Sequence, residues 1–71
     1  MSEEVVAEMV ANVWRVVVTR GDDVGEGDTI CILESMKMEI PVEATASGTI
    51  SELNVIEGGV VQEGDVIAVI A

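Results

Sequence analysis

Shifted by 37 positions, this sequence falls back on itself. Residues 11–34 align with residues 48–71, giving seven identities in 24 pairs. Val18 meets Val55, Gly21 meets Gly58, Val24 meets Val61, and Ile30 meets Ile67. Glu26-Gly27-Asp28 meets Glu63-Gly64-Asp65. The identities gather at turn residues, and apolar meets apolar at positions 13, 16, 31, 32 and 33 of the first half. A chain built of two such halves folds as two copies of one supersecondary unit related by a pseudo-two-fold axis.

Each half reads as strand, turn, short strand, turn, strand. Strands are predicted over 13–18 and 50–56, and again over 29–34 and 66–71. Gly21 and Gly58 supply turn conformations that β-branched residues resist, and Gly27-Asp28 and Gly64-Asp65 mark a second turn. Ile30-Cys31-Ile32-Leu33 and Val66-Ile67-Ala68-Val69-Ile70 are apolar at every position, as in strands covered on both faces. Residues 5–10 are assigned to a first strand. Residues 38–44 return from a turn at Met36-Lys37, with Pro41 placing that strand at an edge or bulge. Ala46-Ser47-Gly48 is the turn into the second half. No segment carries a helical stripe. Closely spaced short strands predict an all-β sandwich or small barrel, one domain over 1–71.

The residue types agree. The chain is 49% hydrophobic yet has no Phe or Tyr and one Trp. Its core must come from Val, Ile, Leu, Met and Ala, dominated by branched residues that favour pleated strands. The net charge is −11, from 14 acids against 3 bases. This repels nucleic acid and anionic lipid, so neither is an expected partner, and a monomer is expected. With no histidine, the usual imidazole base and commonest transition-metal ligand are missing. No apolar run approaches the ~18 residues of a membrane span. The acidic start Met1-Ser2-Glu3-Glu4 lacks the basic region of a signal peptide. Cys31 is the only cysteine, excluding an internal disulfide, and is read as a small core residue. Together these predict a cytoplasmic protein.

By the symmetry, position 37 corresponds to positions just off the chain ends. The turn at 36–37 should therefore project from one edge while the termini gather at the opposite edge. That turn holds Lys37, the only lysine in the chain. Apart from the N-terminal amine, it is the one primary amine available to an acylating enzyme. A lysine in water has a pKa near ~10.4, so only roughly one in 10³ is a free amine at neutral pH. Lys37 therefore suits a modifying enzyme's substrate better than an autonomous nucleophile, and no catalytic residue is expected. Met36 and Met38 flank it; each either folds back on the sheet or stands out as an adaptable recognition surface. Glu34 and Glu39 bracket the turn as solubilising charges or partner contacts.

Other candidates are weaker. Trp14 is expected as a partly buried core aromatic, the alternative being an exposed docking residue. Asp22-Asp23 and Glu26-Gly27-Asp28 lack the spacing of a calcium loop and read as turn chemistry, so no metal site is expected. No Ser/His or Cys/His pair and no phosphate-cradling glycine loop is present.

Glu34-Ser35-Met36-Lys37-Met38-Glu39 resembles the E-A-M-K-M signature of biotin carboxyl carrier domains. The surrounding pattern, from Gly21-Asp22 through Glu26-Gly27-Asp28 and Ser47-Gly48-Thr49 to Gly58 and Glu63-Gly64-Asp65, resembles the biotinyl/lipoyl attachment family over roughly residues 7–71. The resemblance implies a flattened barrel-sandwich hybrid of two small antiparallel sheets with quasi-two-fold symmetry. It implies biotin in amide linkage to Lys37 on a protruding hairpin. Met36 and Met38 would assist recognition by the ligase and presentation to the carboxylase, Glu34 would help the modifying enzyme discriminate, and Ser35 completes the motif. Ser35 stands for the usual alanine, and Ala11 stands where the family generally has glycine. The chain looks most like the small free-standing members.

Three functions follow. In the first, a biotin protein ligase acylates Lys37, and the arm carries a carboxyl group from a biotin carboxylase to a carboxyltransferase, as in acyl-CoA carboxylase systems of fatty acid metabolism. In the second, Lys37 carries lipoate, although Met36 occupies the place where lipoyl domains often have aspartate. In the third, the fold is an unmodified interaction module, which leaves the lone lysine and its methionines without a role.

Overall fold

The computed structural model describes residues 2–71; Met1 of the acidic start lies outside the described residues. Eight strands form in order: β1 (Glu3–Val6), β2 (Ala11–Val16), β3 (Asp23–Val24), β4 (Thr29–Ser35), β5 (Met38–Glu43), β6 (Gly48–Leu53), β7 (Val60–Val61) and β8 (Val66–Ile70). Among the described residues there is no helix. The strands make two four-stranded sheets, β1-β8-β6-β3 and β5-β4-β2-β7, and every pairing is antiparallel. Adding 37 to a strand of the first half gives its counterpart in the second, and the operation turns one sheet into the other. This is the all-β, two-sheet, quasi-two-fold architecture expected.

The symmetry reaches further than the sequence identities. Gly27 N–H donates to Ala44 O at 2.9 Å, and Gly64 N–H to Ala7 O at 2.8 Å. Gly21 N–H donates to Ile50 O and Gly58 N–H to Val13 O, at 2.8 and 2.9 Å. In each pair both partners shift by 37. The β-bulges are duplicated too: the ladder slips around Trp14 in β2 and Ser51 in β6, and around Ile30 in β4 and Ile67 in β8. Thus residues 3–7, outside the aligned 11–34 segment and identical to their mates only at Val5/Val42 and Ala7/Ala44, are the structural mates of 40–44.

The turns explain the EGD triplets. Gly27 and Gly64 both sit at φ 91°, a left-handed backbone that glycine enters without a Cβ penalty. The following aspartate then folds back. Asp28 Oδ2 accepts from Gly25 N–H and Asp65 Oδ2 from Gln62 N–H, each at 2.8 Å. Asp22 Oδ2 accepts from Thr19 N–H, and Asp23 Oδ1 from the Thr49 hydroxyl.

The core is aliphatic. Ile30, Cys31, Ile50, Ile67 and Ile70 are fully buried between the sheets, each isoleucine contributing about 1.5–3 kcal/mol by leaving water. β4 and β8 supply four of these five, as their unbroken apolar runs predict. Pro41 lies on β5, an edge strand, where its missing N–H breaks no ladder bond.

Several strand boundaries differ from the sequence expectation: β1 starts at Glu3 rather than Val5, and β2 and β6 end at Val16 and Leu53 rather than at 18 and 56. β2 and β6 begin two residues earlier than predicted, at Ala11 and Gly48, because pairing with the short strands β7 and β3 recruits weak strand formers. β1 ends at Val6 rather than Val10: Ala7 turns inward to bond Asp65 and Gly64. Ala11, in place of the family's glycine, is buried in β2 opposite Val61, whereas a Cβ at its mate Gly48 would meet Ala71 O at 2.5 Å.

Candidate functional site

The β4–β5 hairpin carries the motif. Its ladder runs from Thr29↔Glu43 to Leu33↔Ile40, Glu34↔Glu39 and Ser35↔Met38. Only Met36 and Lys37 remain for the turn. Both have positive φ, 52° and 65°. A two-residue hairpin turn with both residues left-handed is the type I′ pattern, whose twist matches that of the strands and which favours Asn-Gly. Methionine and lysine have no such preference, and left-handed backbone costs about 1–2 kcal/mol per L-residue. The ladder and the anchor of buried Leu33 hold the turn in place.

Met36 is 91% exposed and Met38 65%, so neither folds back onto the sheet. Lys37 between them is exposed. Glu34 and Ser35 are half-buried and Glu39 is exposed. Directly opposed like charges, as at Glu34 and Glu39, cost a sheet roughly 0.2–1 kcal/mol; a basic partner would relieve this. The chain ends pair at the symmetry mate of the hairpin, where Glu3 faces Ile70, so they leave the Lys37 tip uncovered. The structure thus brings Glu34, Ser35, Met36, Lys37 and Met38 together on one projecting turn. An amine so placed meets the requirement of covalent acylation: an incoming acyl group clashes with nothing, and the short turn leaves little slack.

The remaining candidates fall into place. Cys31 is fully buried, and burial pushes its thiol up to about 11, which removes it as a nucleophile. Among the described residues no group of three or more His, Cys, Asp or Glu side chains could hold a metal ion. No helix there is long and apolar enough to cross a membrane. Trp14 departs from the expectation of a core aromatic. It is 45% exposed on the outer side of β2, with the Arg15 guanidinium 5.0 Å from its ring centroid. The bulge is the reason: the extra residue breaks the in-out alternation, and Trp14 and Arg15 both face out. Sequence alternation alone could not show this, nor the left-handed backbone at 36–37.

Comparison with known proteins agrees with this geometry. The profile of the Biotin_lipoyl family, described as "Biotin-requiring enzyme", matches residues 2–70. A "Biotinylated protein TB7.3 homolog" of Mycobacterium leprae is 55% identical over 71 residues, covering all of both chains. The crystal structure of the Kluyveromyces lactis urea carboxylase superposes on the whole chain with a TM-score of 0.91 at 37% identity. A single-chain, multi-domain long-chain acyl-CoA carboxylase superposes on 96% of it with a TM-score of 0.88 at 28% identity. The chain spans 6% and 7% of those two proteins. With a profile match along almost its entire length and the two-sheet fold carrying an exposed lysine hairpin, the chain belongs to the biotinyl/lipoyl attachment family.

Proposed function

We propose that Lys37 carries biotin in amide linkage and that the chain is a non-catalytic carrier. It takes a carboxyl group from a biotin carboxylase to a carboxyltransferase of an acyl-CoA carboxylase-type system in the cytoplasm. The observation that carries this reading is the only lysine of the chain, exposed at the tip of a two-residue turn between two exposed methionines. The likeness to an acyl-CoA carboxylase supports the choice of acceptor class.

The residues divide the work. A biotin protein ligase must remove a proton from the Lys37 ammonium. Nζ then attacks the carbonyl of a biotinyl adenylate. The bond from that carbonyl to the phosphate oxygen breaks so that AMP leaves, and loss of a second proton from the nitrogen gives the amide. Met36 and Met38 offer flexible apolar contacts on either side of the amine. Glu34 and Ser35, on the last ladder rungs, give the ligase a fixed frame. Biotin, when bound, supplies a ureido nitrogen that can hold a carboxyl group. The hairpin restricts where the arm can reach, and tethering raises the effective concentration at the second active site.

The test is the intact mass of the protein from its own cells, with peptide mapping across residues 34–43. A biotinyl increment on Lys37, lost in Lys37→Arg, is expected. A lipoyl increment would transfer the protein to the lipoyl reading. An unmodified Lys37, in cells whose other carriers are modified, would leave only the interaction module.

A further inference from the structure

The two-fold symmetry supplies an internal control for the surface. Positions related by 37 share backbone conformation and place in a sheet, so the fold asks the same of both. Five large apolar residues lie exposed on or beside β2 and β7: Val10, Trp14, Val17, Ile56 and Val60. Their mates are Ser47, Ser51, Asn54, Thr19 and Asp23, all polar. On the other sheet, only Val6 among the described residues is large, apolar and exposed. Since the same fold is built with polar residues at the mates, packing does not require the apolar set. Exposed apolar surface gathered on one face marks an interaction site.

This face belongs to the sheet that ends in the Lys37 hairpin. Asn12 pairs with Glu34, and Trp14 bulges beside Leu33 and Ile32. At ~3.3 Å per strand residue, Trp14 lies within roughly 15 Å of the tip along the sheet. Val60 pairs with Asn12 on the far side. Glu34, Glu39 and Glu57 give the face an acidic rim; Glu57 is fixed by accepting from Val16 N–H. We propose that this outer face of the β5-β4-β2-β7 sheet, centred on Trp14, is where the ligase that modifies Lys37 docks, through a surface with an apolar centre and basic rim.

The ligase is favoured over the carboxylase by reach. It must bring the amine itself, one side chain from the backbone, into its active site, and so must press against the hairpin and the sheet behind it. A carboxylase works at the far end of the biotinylated arm. A second copy of the chain is disfavoured, because each carries a net charge of −11.

The inference rests on the carrier reading, and the experiment separates the two. Steady-state biotinylation by the purified ligase of the same cells, with ATP and biotin, is measured for wild type, Trp14→Ser, Val60→Thr and, on the mate face, Ser51→Ala. Circular dichroism and thermal melts confirm folding. Trp14→Ser installs the mate's residue and should raise KM at least about tenfold with kcat nearly unchanged, as for a buried tryptophan anchor. Val60→Thr should raise it less, and Ser51→Ala not at all. Wild-type KM in both Trp14→Ser and Val60→Thr would overturn the inference while leaving the carrier reading intact. A raised KM at the carboxylase alone would overturn the ligase assignment, as would a wild-type dimer that Trp14→Ser dissociates. Failure of the ligase to modify wild type at Lys37 would instead defeat the carrier reading.

Discussion

Met36→Asn should make this protein more stable and a worse ligase substrate. The native turn holds Met36 at φ 52°, at a cost of about 1–2 kcal/mol for an L-residue. Asparagine enters the left-handed region more readily and is preferred in type I′ turns. Little packing is lost, because Met36 is 91% exposed; the forgone burial is a few tenths of a kcal/mol, about a tenth of a methionine's ~1.5–3 kcal/mol. The net gain is about 1 kcal/mol, and for a domain of this size that raises Tm by about 4–8 °C. Calorimetry on unmodified protein measures it, with Met36→Val as the opposing control, since a β-branched residue resists positive φ and should lower Tm. The biotinylation rate, taken in parallel, should fall. An unchanged or lower Tm in Met36→Asn would refute the reasoning, showing either that the turn holds no strain or that Met36 packs on the sheet. A higher Tm with slower modification would identify the strained backbone as the cost of presenting methionine to a partner.

Further outcomes follow from other parts of the fold. Gly48→Ala places a Cβ 2.5 Å from Ala71 O and 2.8 Å from Ile70 Cγ2, so strands β6 and β8 must separate; the urea midpoint should fall by the equivalent of about 1–3 kcal/mol. The Cys31 thiol is raised from 9.0 to about 11 by burial. Its contribution is therefore complete below pH 9 and lost as pH rises toward 11, by roughly 2–3 kcal/mol. Denaturation from pH 8 to 11 should show this decline, and Cys31→Ala should be less stable at pH 8 but lack that component of it. Dilute hydrogen peroxide should convert Met36 and Met38 to sulfoxides before Met9, which packs against the core, and should spare Cys31. Peptide mass mapping reads the order, and the oxidised protein should be biotinylated more slowly.

Two features of the surface show where side-chain pattern stops being informative. The exposure of Met36 and Met38 depends on whether the turn has room to fold them back, which is set by the register Ser35↔Met38. A slip of one residue would send every side chain of β5 to the other face. Trp14 faces out because the ladder skips a position beside it. An aromatic on an apolar strand reads as core unless the bulge is known, and a bulge arises from pairing with another strand rather than from the residues it displaces.

The sequence by itself determined the all-β class, the duplication, the turn glycines with their aspartates, the placing of Pro41 at an edge or bulge and the identity of Lys37 as the single lysine. These depend on residue type and spacing: branched residues favour strands, glycine alone enters strained turns freely, and a repeat demands a repeated unit. Tertiary structure decided how far the symmetry extends, since residues 3–7 match 40–44 in strand pairing and hydrogen bonding although only Val5/Val42 and Ala7/Ala44 are identical. It also decided the left-handed backbone under Met36-Lys37, the outward turn of Trp14, and the gathering of apolar residues on the sheet that bears the hairpin. Each depends on strands far apart in sequence meeting in one register, and hydrogen-bond partners that lie so far apart leave no mark on the local pattern.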